Sequence, residues 1–419
     1  MSTTSKPVPT RPHGAIFDIN DNNRLPQQVP IIGLGCSSFS TFFWTSDELA
    51  KEQSSNSNWT ADQLDKHHPR VQEWISTIRY AMEECGITLL DTAPWYGHGT
   101  SEVVIGWAMD DILSRVDRSK LVINTKIGRY EADPQKQFDF GKEATLASAQ
   151  RSLERMKCQY INVLQLHDPE FAPSLEQLMT ETIPALLECR DKGYCKALGI
   201  TGYPLKVQYQ ILQRSLELDA KSGKIWDQSL TYGHYNLVDT SLLDQPMAQQ
   251  STTSFAEFCQ QNNVGIMAAA PLNMGLFTQS ALAEWHPAHQ EPRAACQKAT
   301  SICAEHGVDI ATLAIAFALS NPNIPCTIVG MKNVAEVKYS HAVASRFHKI
   351  TKGNLNQDEI LKEILEDAEY KAFVKVRDPV EGPFAQLWKD GNFAWDGVAE
   401  ATKFWEKLEG QDQDDWHVK

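Results

Sequence analysis

No apolar run in the 419 residues reaches the roughly 20 that a membrane-spanning helix needs, so no membrane partner is expected. Positive charge is short as well: 39 Lys and Arg stand against 53 Asp and Glu, a formal net charge of −14. Such a field repels phosphate backbones, and nucleic acid is not an expected partner. The nine cysteines are scattered and never fall at CxxC spacing, so reduced thiols are expected, with neither a disulfide framework nor a metal site. The first 30 residues lack the basic start, apolar stretch and cleavage site of a secretory leader, and a cytoplasmic location is the default expectation. A glycine-rich dinucleotide fingerprint is missing too: Gly33 and Gly35 follow the first apolar run without a third glycine or a helix start.

What is present is an alternation of short aliphatic runs with longer amphipathic stretches, the rhythm of a parallel sheet built from βα units. Eight strands are predicted: Val29–Leu34, Ile87–Leu90, Leu121–Asn124, Ile161–Leu166, Ala197–Ile200, Ile225–Ser229, Val264–Ala268 and Cys326–Val329. Helical patterns fill the gaps, among them Val71–Cys85, Ser101–Leu113, Glu143–Met156, Ser174–Lys192, Leu205–Arg214 and Val334–Ala344. Eight such units predict an α/β fold of the (β/α)8 TIM barrel type over residues 29–350, preceded by a polar segment 1–28. Two stretches exceed the minimal barrel. A long polar insertion, Phe42–Pro69, follows the first strand; its Phe42, Phe43, Trp44 and Trp59 suit either a lid or a mobile loop. A C-terminal extension over 351–419 carries helical patterns at Glu359–Glu366, Pro383–Trp388 and Val398–Leu408 and ends in an acidic tail.

Four side chains fall at or just beyond the ends of predicted strands two, three and four: Asp91, Tyr96, Lys126 and His167. Barrel active sites form at that end, from the loops that follow the strands. A phenol has an ordinary pKa of about 10 and needs help to exchange a proton near neutrality. An ammonium beside it, Lys126, favours the phenolate; a carboxylate, Asp91, keeps that ammonium charged and aimed. His167 can hold the substrate oxygen through a hydrogen bond. An enzyme acting on a small molecule is therefore expected.

The segments that hold these residues, Asp91-Thr-Ala-Pro-Trp-Tyr-Gly, Thr125-Lys126-Ile-Gly-Arg-Tyr, Leu166-His167-Asp-Pro-Glu-Phe and Gly199-Ile-Thr-Gly, resemble those of the aldo-keto reductases in order and spacing. The resemblance covers about Val29 to Ala344 and implies a catalytic tetrad of Asp91, Tyr96, Lys126 and His167. It also implies a nicotinamide cofactor held without a Rossmann domain. Further segments, Glu181-Thr-Ile-Pro-Ala-Leu, Ala270-Pro-Leu-Asn-Met-Gly-Leu and Glu284-Trp-His-Pro-Ala, are similar to the branch containing L-galactose and D-arabinose dehydrogenases, which oxidise an aldose at C1 to the lactone. Arg129, Tyr130, Asp168 and Trp285 then become candidate sugar contacts.

Cofactor positions implied by the same resemblance are Thr201 and Gly202 at the nicotinamide carboxamide, with Tyr232 nearby, and Ala270, Pro271 and Leu272 over the pyrophosphate. Gly330, Lys332, Asn333, Glu336 and Ser340 fall at the adenosine phosphate. Gly202 lacks the amide side chain usual there, and Ala269 replaces an aromatic. Glu336 stands where members preferring NADP place an arginine; a carboxylate suits a ribose hydroxyl and repels a phosphate, which favours NAD, with Lys332 keeping NADP open. The alternatives are an NADPH-dependent carbonyl reductase and a non-catalytic, cofactor-sensing regulatory subunit.

Overall fold

The computed structural model describes residues 6–13, 28–42, 44, 46–53, 59–131, 136–248, 252–279, 282, 286, 288–351 and 355–385. Its strands are β1 (Thr10–Pro12), β2 (Gln28–Pro30), β3 (Ile32–Gly35), β4 (Leu89–Asp91), β5 (Val122–Ile127), β6 (Ile161–His167), β7 (Cys195–Gly202), β8 (Gln228–Tyr232), β9 (Gly265–Ala269) and β10 (Cys326–Gly330). Strands β3 to β10 close a parallel barrel in chain order, β10 pairing with both β9 and β3. The (β/α)8 architecture expected from the sequence is the one found.

The first predicted strand is in fact two. Val29 and Pro30 pair antiparallel with Arg11 and Thr10 in a small sheet of their own, and barrel pairing starts at Ile32. Pro30 has no N–H to give to a parallel ladder, so the apolar run divides there. The hairpin seals the end of the barrel where the strands begin. Arg11 donates to the carbonyls of Leu319, Asn321 and Ile324 on the approach to β10, at 2.6, 2.8 and 3.0 Å. The stretch predicted as one helix over 174–192 is also broken. Ser174 caps a first turn by accepting from the Gln177 N–H, a π-helical turn follows at Leu178–Thr182, and a second helix runs Ile183–Asp191. Pro184 explains the break, because its missing donor and its ring exclude the regular turn before it.

The insertion after β3 begins with a helix, Ser46–Gln53. Trp44 and Trp59 pack edge-on with ring centroids 4.8 Å apart, and both lie against Trp74 of the helix Pro69–Glu83, at 6.1 and 5.6 Å. Thr100 ties the segment down through a 2.9 Å hydrogen bond to the Trp59 carbonyl. These aromatics anchor the insertion to the outer helices; Phe42 is the one that turns towards the barrel mouth, 4.4 Å from Trp95. Phe43 lies outside the described residues. At the other end of the chain, helices Gln357–Ile364 and Asp367–Val376 pack on the barrel: Gln357 donates to the Tyr235 hydroxyl at 2.6 Å, and Arg377 to the Leu237 carbonyl at 2.7 Å. The helical patterns expected beyond residue 385 lie outside the described residues.

Trp74 is 1% exposed and touches Phe39, Trp44 and Trp59. Its replacement by Ala leaves a large void, and the expected destabilisation is about 3–5 kcal/mol, read as a lower urea midpoint with unchanged slope. A midpoint within error of wild type would contradict this packing.

Candidate active site

The barrel's order brings the four sequence-predicted residues together. Lys126 Nζ donates to Asp91 Oδ1 at 2.5 Å, to the Thr92 carbonyl at 2.7 Å and to the Tyr96 hydroxyl at 3.2 Å. The His167 ring meets the Tyr96 ring edge-on, with centroids 6.1 Å apart. Lys126 is buried, yet its pKa is raised: burial penalises the ammonium, and Asp91 with the Tyr96 oxygen outweighs that penalty. Tyr96 behaves differently from the expectation. Burial raises its pKa, Lys126 pulls it back, and Asp91 and Asp168 add to the rise, leaving the phenol above its ordinary value. The resting group is a phenol hydrogen-bonded to an ammonium.

His167 is the last residue of β6, 6% exposed, and burial drives its pKa down to about 3, with Asp168 opposing and Lys126 and Arg129 assisting. It is a neutral imidazole, able to donate from one nitrogen. Asp168 follows in the left-handed region, φ 48°, a conformation Asp tolerates and one that turns its carboxylate onto Arg129 at 2.8 Å. Burial raises the Asp168 pKa, but His167 and Arg129 more than compensate and hold it below the usual carboxylate value. The Arg129 guanidinium carbon stands over the Trp95 ring, 3.6 Å from its centroid. Trp95, Arg129 and Asp168 thus form one wall of the mouth, in which the indole supports a guanidinium donor beside a carboxylate acceptor.

One candidate sugar contact does not join them. The Tyr130 hydroxyl accepts from the Gly128 N–H at 2.9 Å, so its polar end is spent on its own loop. Trp285 lies outside the described residues.

The sequence-predicted cofactor positions occupy the neighbouring half of the rim, β7 to β10. Thr201 and Gly202 end β7, and Tyr232 ends β8 directly opposite Ala269, so a ring stands beside the position where an aromatic is missing. A Cβ at Gly202 would stand 2.6 Å from Glu170 Oε2, so the Glu170 carboxyl takes up the space that a side chain there would use. Glu170 therefore fills the space of the absent amide side chain. Its Oε1 accepts from the Tyr203 N–H at 3.1 Å, and burial, with Asp168 beside it, pushes its pKa up to about 8. A neutral carboxylic acid offers one donor and one acceptor, as an amide does. Ala270, Asn273 and Met274 all have positive φ, 61°, 47° and 54°, and Asn236 holds the loop by exchanging amide hydrogen bonds with Asn273 at 3.1 and 3.3 Å. Beyond β10, Asn333 caps the helix Val334–Ser345, and Glu336 folds back to accept from the Lys332 N–H at 2.8 Å. Ser340 is 3% exposed, on the buried side of that helix.

Sequence reasoning missed Gln165, Glu170 and Asn236. Gln165 was findable: it lies two residues before His167, hence on the same face of β6, and its Nε2 donates to Asp91 Oδ2 at 2.8 Å.

The shifted groups act on stability in opposite senses. His167 in the native state refuses the proton that an unfolded histidine takes near pH 6.5, so stability falls as pH drops from 6.5 towards 3. Glu170 keeps its proton to about pH 8 where the unfolded side chain loses it near 4.5, so stability falls as pH rises between those values. Glu170→Gln should therefore have a higher Tm than wild type at pH 8, the difference shrinking towards pH 4.5. Thermal scans across that range with no growing difference would contradict a protonated Glu170.

A model of the aldo/keto reductase family matches residues 59–359. The chain is 34% identical to L-galactose dehydrogenase of Arabidopsis thaliana over 276 residues, covering 66% of this chain and 79% of that protein. It is 28% identical to D-arabinose 1-dehydrogenase of Saccharomyces cerevisiae over 281 residues, covering 67% and 78%. An aldo-keto reductase from Bacillus halodurans, solved in its holo form, superimposes with a TM-score of 0.54 at 19% identity, covering 82% of this chain and 96% of that one. With a closed (β/α)8 barrel and the Asp91, Tyr96, Lys126, His167 cluster at its mouth, the chain belongs to the aldo/keto reductase family and is an NAD(P)-dependent oxidoreductase.

Proposed function

We propose that the protein oxidises an aldose at C1 to the lactone, with NAD as the acceptor. The observation that carries this is the placing of the Tyr96 hydroxyl, 3.2 Å from the buried Lys126 ammonium, beside a wall made of Trp95, Arg129 and Asp168. A sugar offers hydroxyls that both donate and accept, together with an apolar C–H face. In that wall the Arg129 guanidinium can donate to such hydroxyls and the Asp168 carboxylate can accept from them. Two relatives named for aldose oxidation, the L-galactose and D-arabinose dehydrogenases, support the same substrate class.

In this reading the neutral His167 and Tyr96 hold the anomeric hydroxyl between them. Tyr96 takes the O–H proton as phenolate, and Lys126 stabilises the negative charge on its oxygen. The C1 hydrogen departs with both bonding electrons, and the oxygen becomes the lactone carbonyl. Asp91 stays ionised throughout and keeps Lys126 charged. The nicotinamide ring, when bound, supplies the hydride acceptor; Thr201, Glu170 and Tyr232 would hold it, and the loop at Ala270, Pro271 and Leu272 with Gly330 and Asn333 would hold the remainder. Because the resting Tyr96 is a phenol, oxidation should gain rate with rising pH until the phenol ionises. The same protonated state suits the reverse step, in which Tyr96 donates to a carbonyl, and reduction of an aldehyde or ketone is the alternative reading.

The preference for NAD rests on Glu336. Its carboxylate accepts from the Lys332 N–H just before the helix Val334–Ser345, and its charge opposes an added phosphate. Lys332 is exposed and is the cation that would favour NADP instead.

A spectrophotometric screen of both cofactors against L-galactose, D-arabinose and a panel of simple carbonyls tests the proposal. The expected result is reduction of NAD by a free sugar, with kcat lowered at least about a hundredfold in Tyr96→Phe. Full activity of Tyr96→Phe would defeat the assignment, and reduction of carbonyls with NADPH and no sugar oxidation would favour the alternative. Glu336→Arg should move preference towards NADP; unchanged selectivity would remove Glu336 from cofactor choice.

A further inference from the structure

The barrel interior contains a continuous polar line that the reaction chemistry does not require and that ends outside the catalytic cluster. Across β5 to β9 the register row runs Lys126, Gln165, Gly199, Gln228, Gly265. Strands in a closed barrel tilt, so such a row runs obliquely: it starts near the end of β5, at the mouth, and reaches the first residue of β9, at the floor. Gln165 and Gln228 flank the side-chain gap at Gly199, and Gln228 Nε2 donates to Gln165 Oε1 at 3.3 Å. At the floor the N-terminal segment inserts His13, whose Nε2 lies 3.2 Å from Gln228 Oε1. All three side chains are at most 3% exposed. Room for the imidazole exists only because β9 begins with glycine, where a Cβ would stand 2.6 Å from His13 Cε1.

The line has a fixed direction. Asp91, being ionised, can only accept, so Gln165 must present its NH2 group to it and turn its carbonyl the other way. That carbonyl is met by the Gln228 NH2, which turns the Gln228 carbonyl towards the floor. There it needs a donor, and the His13 Nε2–H is that donor. Without it a buried acceptor is left unmet, the amide of Gln228 gains by rotating, and the reversed amide sets oxygen against oxygen at Gln165. Disorder would then reach Asp91.

We infer that His13, brought in by the N-terminal segment at the floor, is a positioning residue for the proton-transfer group at the mouth, acting through Gln228, Gln165 and Asp91 on Lys126 and Tyr96. This rests on the reading of Tyr96 given above. Burial holds the His13 ring neutral, with its pKa down to about 4, Gln228 opposing and Lys224 assisting, so the ring is not itself titrating in the working range. The groups that face Tyr96 are Lys126, Asp91 and Asp168, with the neutral His167 ring edge-on at 6.1 Å and the Tyr232 phenol beside them.

Two substitutions separate the donor from the bulk of the ring. His13→Gln keeps an N–H donor; His13→Met fills the space without one. In the Met variant the alkaline-rising limb of kcat/KM for sugar oxidation should move up by about half a pH unit or more and kcat should fall about tenfold, since Lys126 is less well aimed at the phenol. The dissociation constant for NADH, from fluorescence, should stay within about twofold, and the Gln variant should restore the wild-type limb. An unmoved limb in His13→Met overturns the inference. A second measurement needs no variant activity: the ring nitrogen shifts of wild-type enzyme, assigned against His13→Gln, should report a neutral Nε2–H tautomer at neutral pH. A neutral Nδ1–H tautomer or an ionised ring overturns the inference even where His13→Met fails to fold. With Tyr96→Phe inactive and the His13→Met limb unmoved, only His13 loses its role; with Tyr96→Phe fully active, the reading of Tyr96 falls first and this inference with it.

Discussion

The ion pair between Lys126 and Asp91, 1% and 4% exposed, is the constraint around which the rest of the site is arranged. Two charges taken out of water cost several kcal/mol each in effective desolvation, and their attraction repays this only when geometry is good and every remaining lone pair and proton is met. Here Thr92 and Tyr96 accept the other Lys126 protons, and the Gln165 amide donates to the second Asp91 oxygen. Breaking such a pair by removing one partner strands a buried charge, at about 3–5 kcal/mol. Removing either partner alone therefore costs stability as well as the reactive cluster. Barrel closure supplies the geometry, since adjacent β4, β5 and β6 put successive strand ends side by side.

This dependence explains why the cluster was legible in the sequence. Asp91, Lys126 and His167 each close a short aliphatic run, and strand ends of a parallel barrel must converge, so strand order alone predicts their meeting. Tyr96 needed only the loop after β4. Residues that act by cross-strand register left no local trace. Gln228 and Gln165 are 63 positions apart and His13 and Gln228 are 215 apart, and nothing in their immediate neighbours marks them. Glu170 was hidden for another reason: it is read correctly only through Gly202, whose missing side chain is its space. Tyr130 misled because position in a strand-end loop fixes where the backbone is, while its hydroxyl was captured by Gly128 two residues away.

The two halves of the rim are built on different physics. On the β4 to β6 side the work is electrostatic: a buried ammonium, two carboxylates, and a guanidinium fixed between Trp95 and Asp168. Such groups set proton affinities, and they hold their values only if nothing around them moves. On the β7 to β10 side formal charge is sparse in the lining; Glu170 keeps its proton to about pH 8, and Glu336 is engaged with its own helix start.

What replaces charge there is backbone shape. Ala270, Asn273 and Met274 all sit in the left-handed region, which Asn tolerates and which costs Ala and Met about 1–2 kcal/mol each. A loop that carries such strain without support would relax. This one is over-determined by the reciprocal amide bonds of Asn236 and Asn273 and by a 3.1 Å contact between His286 Nε2 and the Asn273 carbonyl. The shape proposed to receive the dinucleotide is thus built during folding, and binding does not have to order it. That matters most where charged contacts are few, because affinity then depends on costs already met rather than on strong new interactions. The same logic runs through the catalytic half, where the aim of Lys126 is fixed from beneath by a row of amides that reaches the barrel floor.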